Sequence, residues 1–358
     1  MILRVPDYYE DFSCKAGDCA DSCCIGWEID IDEDTEAYYR SLEGPLGDKL
    51  RQHLYVTEEG DSSFRLQRKG RCPFLDGRNL CEICSELGEE ALSYVCTEYP
   101  RFSIEYGNVL QKCLSLSCEE VGNLLFHREE PVRILDLDLD WGEEEDSPSH
   151  PLCSFLSEAQ EQLLAILQDR SRPLQDRVAF YLSYAAGVQE ILNAYEREED
   201  ASLLTLPLAG KCIESAGNPA WPEFLARRDT LNSMEVLDGE WEGQKKLLDS
   251  VKEEKQYQDL LDAYRESVAY VEQDYEQLLV YFTFRYFMNS VYNGGALSYA
   301  KLAVCFTRMV RDLDLLRFEA NGGAFSRVDR IDICRIFSKE VEHSEENVEL
   351  AREALMFE

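Results

Sequence analysis

From residue 152 onward, apolar side chains return every three or four positions. Leu152, Phe155, Leu156, Ala159, Leu163, Ile166 and Leu167 share one helical face, the signature of an amphipathic helix packed on a core. A second run, entered through Pro173, uses Leu174, Val178, Tyr181, Leu182, Ala185, Val188, Leu192 and Tyr195. A third uses Tyr257, Leu261, Tyr264, Val268, Val271, Tyr275, Leu278 and Phe282 and stops at Asn293-Gly294-Gly295, a helix-ending turn. Leu297 to Phe318 predicts a fourth helix, closed by Asn321-Gly322-Gly323, and 328–356 a last amphipathic segment. Before residue 143 the pattern differs. Glu28 to Asp32 alternates at period two and predicts a short strand, as does Phe64 to Gln67. Residues 33–54 predict a helix with Tyr38, Tyr39, Leu42, Leu46 and Leu50 on its apolar side. Phe102 to Leu110 folds around Tyr106-Gly107-Asn108 as a hairpin, and Leu135, Leu137, Leu139 and Trp141 alternate with aspartates as an edge strand.

The expected fold is therefore mainly α: a small cysteine-rich α+β N-terminal domain, residues 1–142, then an all-α helical C-terminal domain, residues 152–358. The acidic, proline-containing stretch 143–151 is the expected linker between them. No internal repeat is visible.

Cysteine usage gives the first domain its character. Of 14 cysteines, ten fall between residues 14 and 118: Cys14, Cys19, Cys23, Cys24, Cys72, Cys81, Cys84, Cys96, Cys113 and Cys118. The N-terminus shows no basic-then-apolar leader. The longest nearly apolar run, Leu278 to Met288, contains Arg285 and is far short of the roughly 20 residues that span a bilayer. These features predict a soluble cytoplasmic protein with no membrane role, in which clustered thiols bind metal rather than pair as disulfides. The net charge of −35 argues against nucleic acid as a partner, since that needs a basic footprint.

The spacings C-x4-C-x3-C-C, C-x8-C-x2-C-x11-C and C-x4-C suit tetrahedral zinc or an iron–sulfur cluster. Cys81 and Cys84, two residues apart, are the most metal-like pair. No βαβ pattern surrounds them, which argues against a thioredoxin-type role. Neighbouring side chains point apart, so Cys23 and Cys24 either serve two centres, or one is a ligand and the other packs. Ten thiols fit two four-thiolate centres with two to spare, or one cluster with several structural thiols. Residues 65–118 are locally neutral inside an acidic chain, and cations near thiolates stabilise their charge. The later cysteines, Cys153, Cys212, Cys305 and Cys334, are expected to be buried and unligated. His53, His127, His150 and His343 are too dispersed for a zinc motif and are read as ordinary surface or loop residues.

Phe12-Ser13-Cys14, Cys19, Cys23-Cys24, Gly26-Trp27, Cys72-Pro73-Phe74-Leu75, Leu80-Cys81-Glu82-Ile83-Cys84 and Cys96-Thr97-Glu98-Tyr99-Pro100-Arg101 together resemble the CxxCxxCC-type iron- or zinc-chelating domain. Within that group the chain looks most like the flagellin lysine-N-methylases, with a diffuse likeness over the aromatic run Tyr281 to Tyr292. The resemblance implies S-adenosylmethionine-dependent methylation of lysine side chains of flagellin, with a [4Fe-4S] cluster, or alternatively zinc, in the cysteine-rich domain. Such a cluster would either hold the methyl donor at an open iron or act structurally. The chain has no CxxxCxxC and no strand–GxGxG–helix unit, so the donor pocket and the catalytic residues are left unassigned. Glu98 and Tyr99 are candidates for handling the amine, and the aromatic stripe at Tyr275 to Phe287 is read as core. The competing reading is a non-enzymatic zinc- or iron-binding protein whose helical domain docks a protein partner.

Overall fold

A computed structural model of the chain describes residues 1–58, 60–139, 150–207, 221–237 and 239–355. The expected linker, apart from its last two residues, and Cys212 lie outside the described residues. The N-terminal part holds two small sheets. In the first, β1 (Ile2–Pro6) runs parallel to β6 (Val109–Leu114) and antiparallel to β7 (Ile134–Asp138), and β5 (Arg101–Tyr106) closes the order β5-β6-β1-β7. The β5–β6 hairpin turns at Gly107, whose φ of 56° suits a residue without Cβ. The second sheet, in the order β2-β4-β3, joins β2 (Asp30–Ile31), β4 (Ser62–Phe64) and β3 (Leu54–Val56). The strand expected over Glu28 to Asp32 is shorter than its alternation suggested, and the one expected over Phe64 to Gln67 lies earlier, sharing only Phe64 with β4.

The helix expected over 33–54 is two, α1 (Glu33–Ser41) and α2 (Gly44–His53), because Gly44 takes φ 88° ahead of Pro45. Then follow α3 (Glu82–Leu87), α4 (Tyr94–Glu98) and α5 (Glu119–Phe126). The rest of the described residues are mainly helical: α6 (Pro151–Leu167) and α7 (Leu174–Glu198) lie where the periodicity indicated, while α8 (Trp221–Ser233) and α9 (Gly239–Leu248) fall where it marked no helix. The single run expected from Tyr257 to Phe282 is again a pair, α10 (Glu254–Ser267) and α11 (Val271–Tyr286), parted at the left-handed Tyr270. A short turn of helix, α12 (Ser290–Asn293), leads to α13 (Ala296–Ala320). The closing segment is α14 (Arg327–Phe337), a π-helical turn over Ser338–Glu342, and α15 (Glu345–Ala354). No helix among the described residues is long and apolar enough to cross a membrane.

Two hydrophobic cores result. The small one is built on Ile29, Tyr39, Leu50, Phe64, Phe74 and Ile83, between α1, α2 and the second sheet. The large one carries α11 and α13 at its centre and also takes Tyr106, Cys113, Leu114 and Leu116 from the β5–β6 hairpin and its exit. The first sheet thus docks on the helices. Gln111 of β6 donates to the Phe284 carbonyl at 2.6 Å, and Gln160 of α6 donates to that same oxygen at 3.2 Å.

Candidate active site and thiol neighbourhoods

Where the hairpin meets the helices there is a cleft of about 490 Å³, lined by Phe102, Gln111, Cys113, Arg285, Tyr286, Tyr299, Glu342, His343, Glu345 and Glu349 among others. Arg285, on the last turn of α11, sits 3.0 Å from the Phe102 ring centroid and 4.9 Å from that of Tyr286. Its Nε donates to Glu342 Oε1 at 2.9 Å. The hydroxyls of Tyr281 and Tyr286 each donate to the same oxygen at 3.1 Å. Glu342 has no exposed side-chain surface. Burial holds its carboxyl above the ordinary range even though Arg285 and the two tyrosines pull it down. The π turn delivers this carboxylate: one extra residue per turn shifts the helix surface, a distortion common at functional sites.

His343 follows directly. Its Nε2 lies 3.1 Å from Ser115 Oγ and 3.0 Å from Ser117 Oγ, and its ring packs on Trp27 at 4.7 Å and Phe102 at 4.9 Å between centroids. Burial, with Arg285 and Lys339 nearby, lowers its pKa to about 3, so the imidazole stays neutral. The expectation of an ordinary surface or loop histidine is corrected here. Isolation along the chain hid it, because its partners come from residues more than 200 positions away. His127 and His150 are exposed, as expected.

Tyr99 closes the box at 5.7 Å from Trp27, its hydroxyl 3.1 Å from Ser117 Oγ. Glu98, the other residue considered for the amine, is tied to Lys112 at 2.7 Å. Of the aromatic stripe, Tyr275, Tyr281, Phe282, Phe284 and Phe287 are core as read, and Tyr286 is the one that also faces the cleft. Sequence reasoning missed Arg285, Glu342 and His343. For Arg285 a signal existed: it is the charge inside the longest apolar run. A second cleft of about 530 Å³, near Tyr275 and Leu279, lies at the other end of α11.

The ten N-terminal cysteines form no disulfide among the described residues, nor do Cys153, Cys305 and Cys334, which are buried. Among the described residues, no three His, Cys, Asp or Glu side chains converge closely enough to hold a metal ion. The backbone does gather the thiols. Cys24, Cys72, Cys81 and Cys96 all pack against the small core. Burial, and then the sulfurs of Cys24, Cys96 and Cys81, push the Cys72 thiol up to about 12, against the Phe74 amide. Burial also leads at Cys118, opposed by the amides of Val121 and Glu120 at the start of α5, with Cys14 and Glu119 adding to the rise. Amides aimed at sulfur favour the thiolate and are the surroundings a ligand needs. The Ala16 N–H likewise donates to Cys14 Sγ at 3.3 Å. Cys113 keeps different company: it faces the cleft with Arg285 Nη1 4.0 Å from its sulfur. The donor set is chemically right for zinc or iron–sulfur binding, and the match is one of type and neighbourhood.

Comparison with known proteins bears on the helical half and on part of the chain's length. The FliB lysine N-methylase C-terminal domain family matches residues 160–358. Curated relatives include the lysine-N-methylases of Salmonella choleraesuis and Salmonella typhimurium, each 32% identical over 126 residues, 34% of this chain and 31% of theirs. The flagellar biosynthetic protein FliU of Salmonella muenchen is 33% identical over 126 residues, 34% of this chain and 75% of its own. The match thus spans under a third of the first two relatives. No solved structure matches. With more than half of its residues inside the family's C-terminal domain, the chain belongs to the FliB lysine N-methylase family.

Proposed function

We propose that this protein methylates lysine side chains of flagellin from S-adenosylmethionine, in the cleft between the β5–β6 hairpin and the C-terminal helices, with a [4Fe-4S] cluster held by N-terminal cysteines. The observation that carries the reading is the cleft itself. Its buried Arg285–Glu342 pair and tyrosines sit within the segment shared with the lysine N-methylase family.

The chemistry is displacement at a methyl group by a neutral amine. Glu345 and Glu349 at the exposed rim attract a lysine ammonium. The ring faces of Phe102, Tyr286 and Tyr299 hold its methylene stem and any methyls already added. Once inside, the amine must lose a proton. Desolvation lowers its pKa, and Glu342, with its own raised, is matched to accept the proton. Tyr281, Tyr286 and Arg285 fix that carboxylate in place. Neutral His343 adds no positive charge to repel the amine. Aligning amine and methyl is an orientation effect worth up to about 7–11 kcal/mol. The donor, when bound, supplies the electrophilic methyl. The cluster residues would come from the thiols beside Trp27 and Tyr99, where the Trp27 indole donates to the Cys23 carbonyl at 2.7 Å.

The test is incubation of anaerobically purified protein with methyl-labelled S-adenosylmethionine and flagellin from the same organism. Label in flagellin lysines, lost in Glu342→Gln, supports the reading. A metal-replete wild type that leaves flagellin unlabelled overturns it.

A further inference from the structure

We propose that the second cleft, at the start of α11, binds a small organic anion: a phosphate or carboxylate head on an apolar body. The site is separate from the cleft assigned to methyl transfer and does not rest on that assignment.

Four helices build it. The cleft, about 530 Å³, lies between the first turns of α7 and α11, the second half of α10 and the middle of α13. Its charged lining residues are Arg265, Arg308 and Arg311 against the single carboxylate of Glu272. A cavity with excess positive charge runs against the character of a chain of net charge −35, and a cleft lined by one sign concentrates ligands of the other. Two helices also begin here, α7 at Leu174 and α11 at Val271, and neither has a side-chain cap. Their first-turn N–H groups add to the positive field.

The arginines are short of counter-charge. Arg227 holds Asp312 at 2.7 Å, Arg311 shares that carboxylate at 3.3 Å, and the Tyr257 hydroxyl donates to it at 2.8 Å. Arg308 meets Glu223 at 3.1 Å, with Arg227 at 3.8 Å from the same oxygen. Three cations thus share two carboxylates. Burial, with repulsion from Arg311 and Arg227, lowers the Arg308 pKa below the usual arginine value despite Glu223. Arg311 Nε is buried with no hydrogen-bond partner among the described residues, and an unpaired buried donor is costly. Arg308 and Arg311, three residues apart, share one face of α13. An anion between them supplies both the missing charge and an acceptor, and the planar guanidinium fork suits phosphate or carboxylate oxygens.

The apolar body follows from the remaining walls, which include Leu174, Val178, Leu261, Leu279 and Val304. The Tyr264 and Tyr275 hydroxyls are already engaged, by Arg330 at 2.6 Å and Asp314 at 2.9 Å, so the arginines are left to hold the head. Clefts of this volume enclose small organic molecules. Glu272 lines this cleft and Arg285 the other, and along α11 they stand about 20 Å apart. A methyl donor seated here would not reach an amine beside Glu342. The occupant is therefore a second ligand, held at one end of the helix whose other end carries Arg285.

Calorimetric titration and thermal melting of the anaerobically purified full chain, at low ionic strength, test this with four probes: adenosine monophosphate, octanoate, inorganic phosphate and uncharged adenosine. Adenosine monophosphate or octanoate should bind, raise the melting temperature and outdo both inorganic phosphate and adenosine. The tighter of the two identifies the head as phosphate or carboxylate. Arg308→Gln should weaken that binding at least about tenfold, and Glu345→Gln, at the rim of the other cleft, should leave it unchanged. Should Arg308→Gln fail to fold, Gln175→Trp replaces it: Gln175 is exposed at the mouth, and an indole there should block binding. Binding by neither organic anion, equal binding by adenosine or inorganic phosphate, or binding that survives these variants overturns the proposal. Displacement of the anion by S-adenosylhomocysteine would make this the donor pocket and overturn the separation of the two clefts.

Discussion

Replacing Arg285 by methionine tests the centre of the cleft most directly. Glu342 has no exposed side-chain surface and pairs with the Arg285 guanidinium at 2.9 Å. Deleting that cation leaves the carboxylate with hydroxyl donors from Tyr281, Tyr286 and Ser338 but without its ion-pair partner, a defect that costs about 3–5 kcal/mol. Set against a typical total stability of about 5–15 kcal/mol, the loss is a large share of the fold. The reverse deletion, Glu342→Gln, is expected to cost less. The stranded guanidinium keeps the faces of Phe102 and Tyr286, each cation–π contact being worth roughly 0.5–2 kcal/mol. The double variant removes both charges and should recover most of the loss, since a buried pair replaced by neutral groups is often close to neutral in net effect. Urea unfolding followed by circular dichroism, with equal slopes in all four proteins, reads the three differences. If Arg285→Met costs under about 1 kcal/mol, or if the two single losses simply add in the double variant, the buried pair is not what organises this end of α11.

Other outcomes follow from the same structure. His343, with a folded pKa of about 3 against roughly 6.5 unfolded, binds fewer protons when folded. Its stabilising contribution is present above about pH 6.5 and drains away as pH falls toward 3, so His343→Gln should flatten stability against pH over that window in melts at fixed ionic strength. Gly122 on α5 faces Ile331 of α14, and a Cβ there would stand 2.9 Å from that side chain. Gly122→Val should destabilise by about 1–3 kcal/mol in chemical unfolding, and Ile331→Ala should soften the effect. Leu156, fully buried in α6, should cost about 2–5 kcal/mol as alanine, measured the same way.

Much of this architecture was legible in the chain. The long helices were read from periods of three and four because each buries one face in a single core, and the β5–β6 hairpin from its glycine turn. Boundaries slipped where one residue's backbone decided them. Gly44 and Tyr270 take left-handed conformations that cut apolar runs without changing their period. The thiols were legible as a regional cluster, but which of them lie near one another was not, since that depends on which loops cross. The cleft was least visible. Its arginine comes from α11, its carboxylate from the π turn and its histidine from the residue after it, and its rings from β5, α11 and α13. No local pattern marks residues that meet only after the sheet has docked.

That docking has a practical consequence for anyone dissecting the molecule. The family's C-terminal domain begins at residue 160, in the middle of α6 (Pro151–Leu167). A truncation made there would halve a buried helix, strip Leu114 and Leu116 from the apolar mass they complete, and leave Phe284 without Gln111. Such a fragment would present sticky surface to its neighbours and precipitate. Co-expressed as two pieces, the halves should find each other through that same bare face.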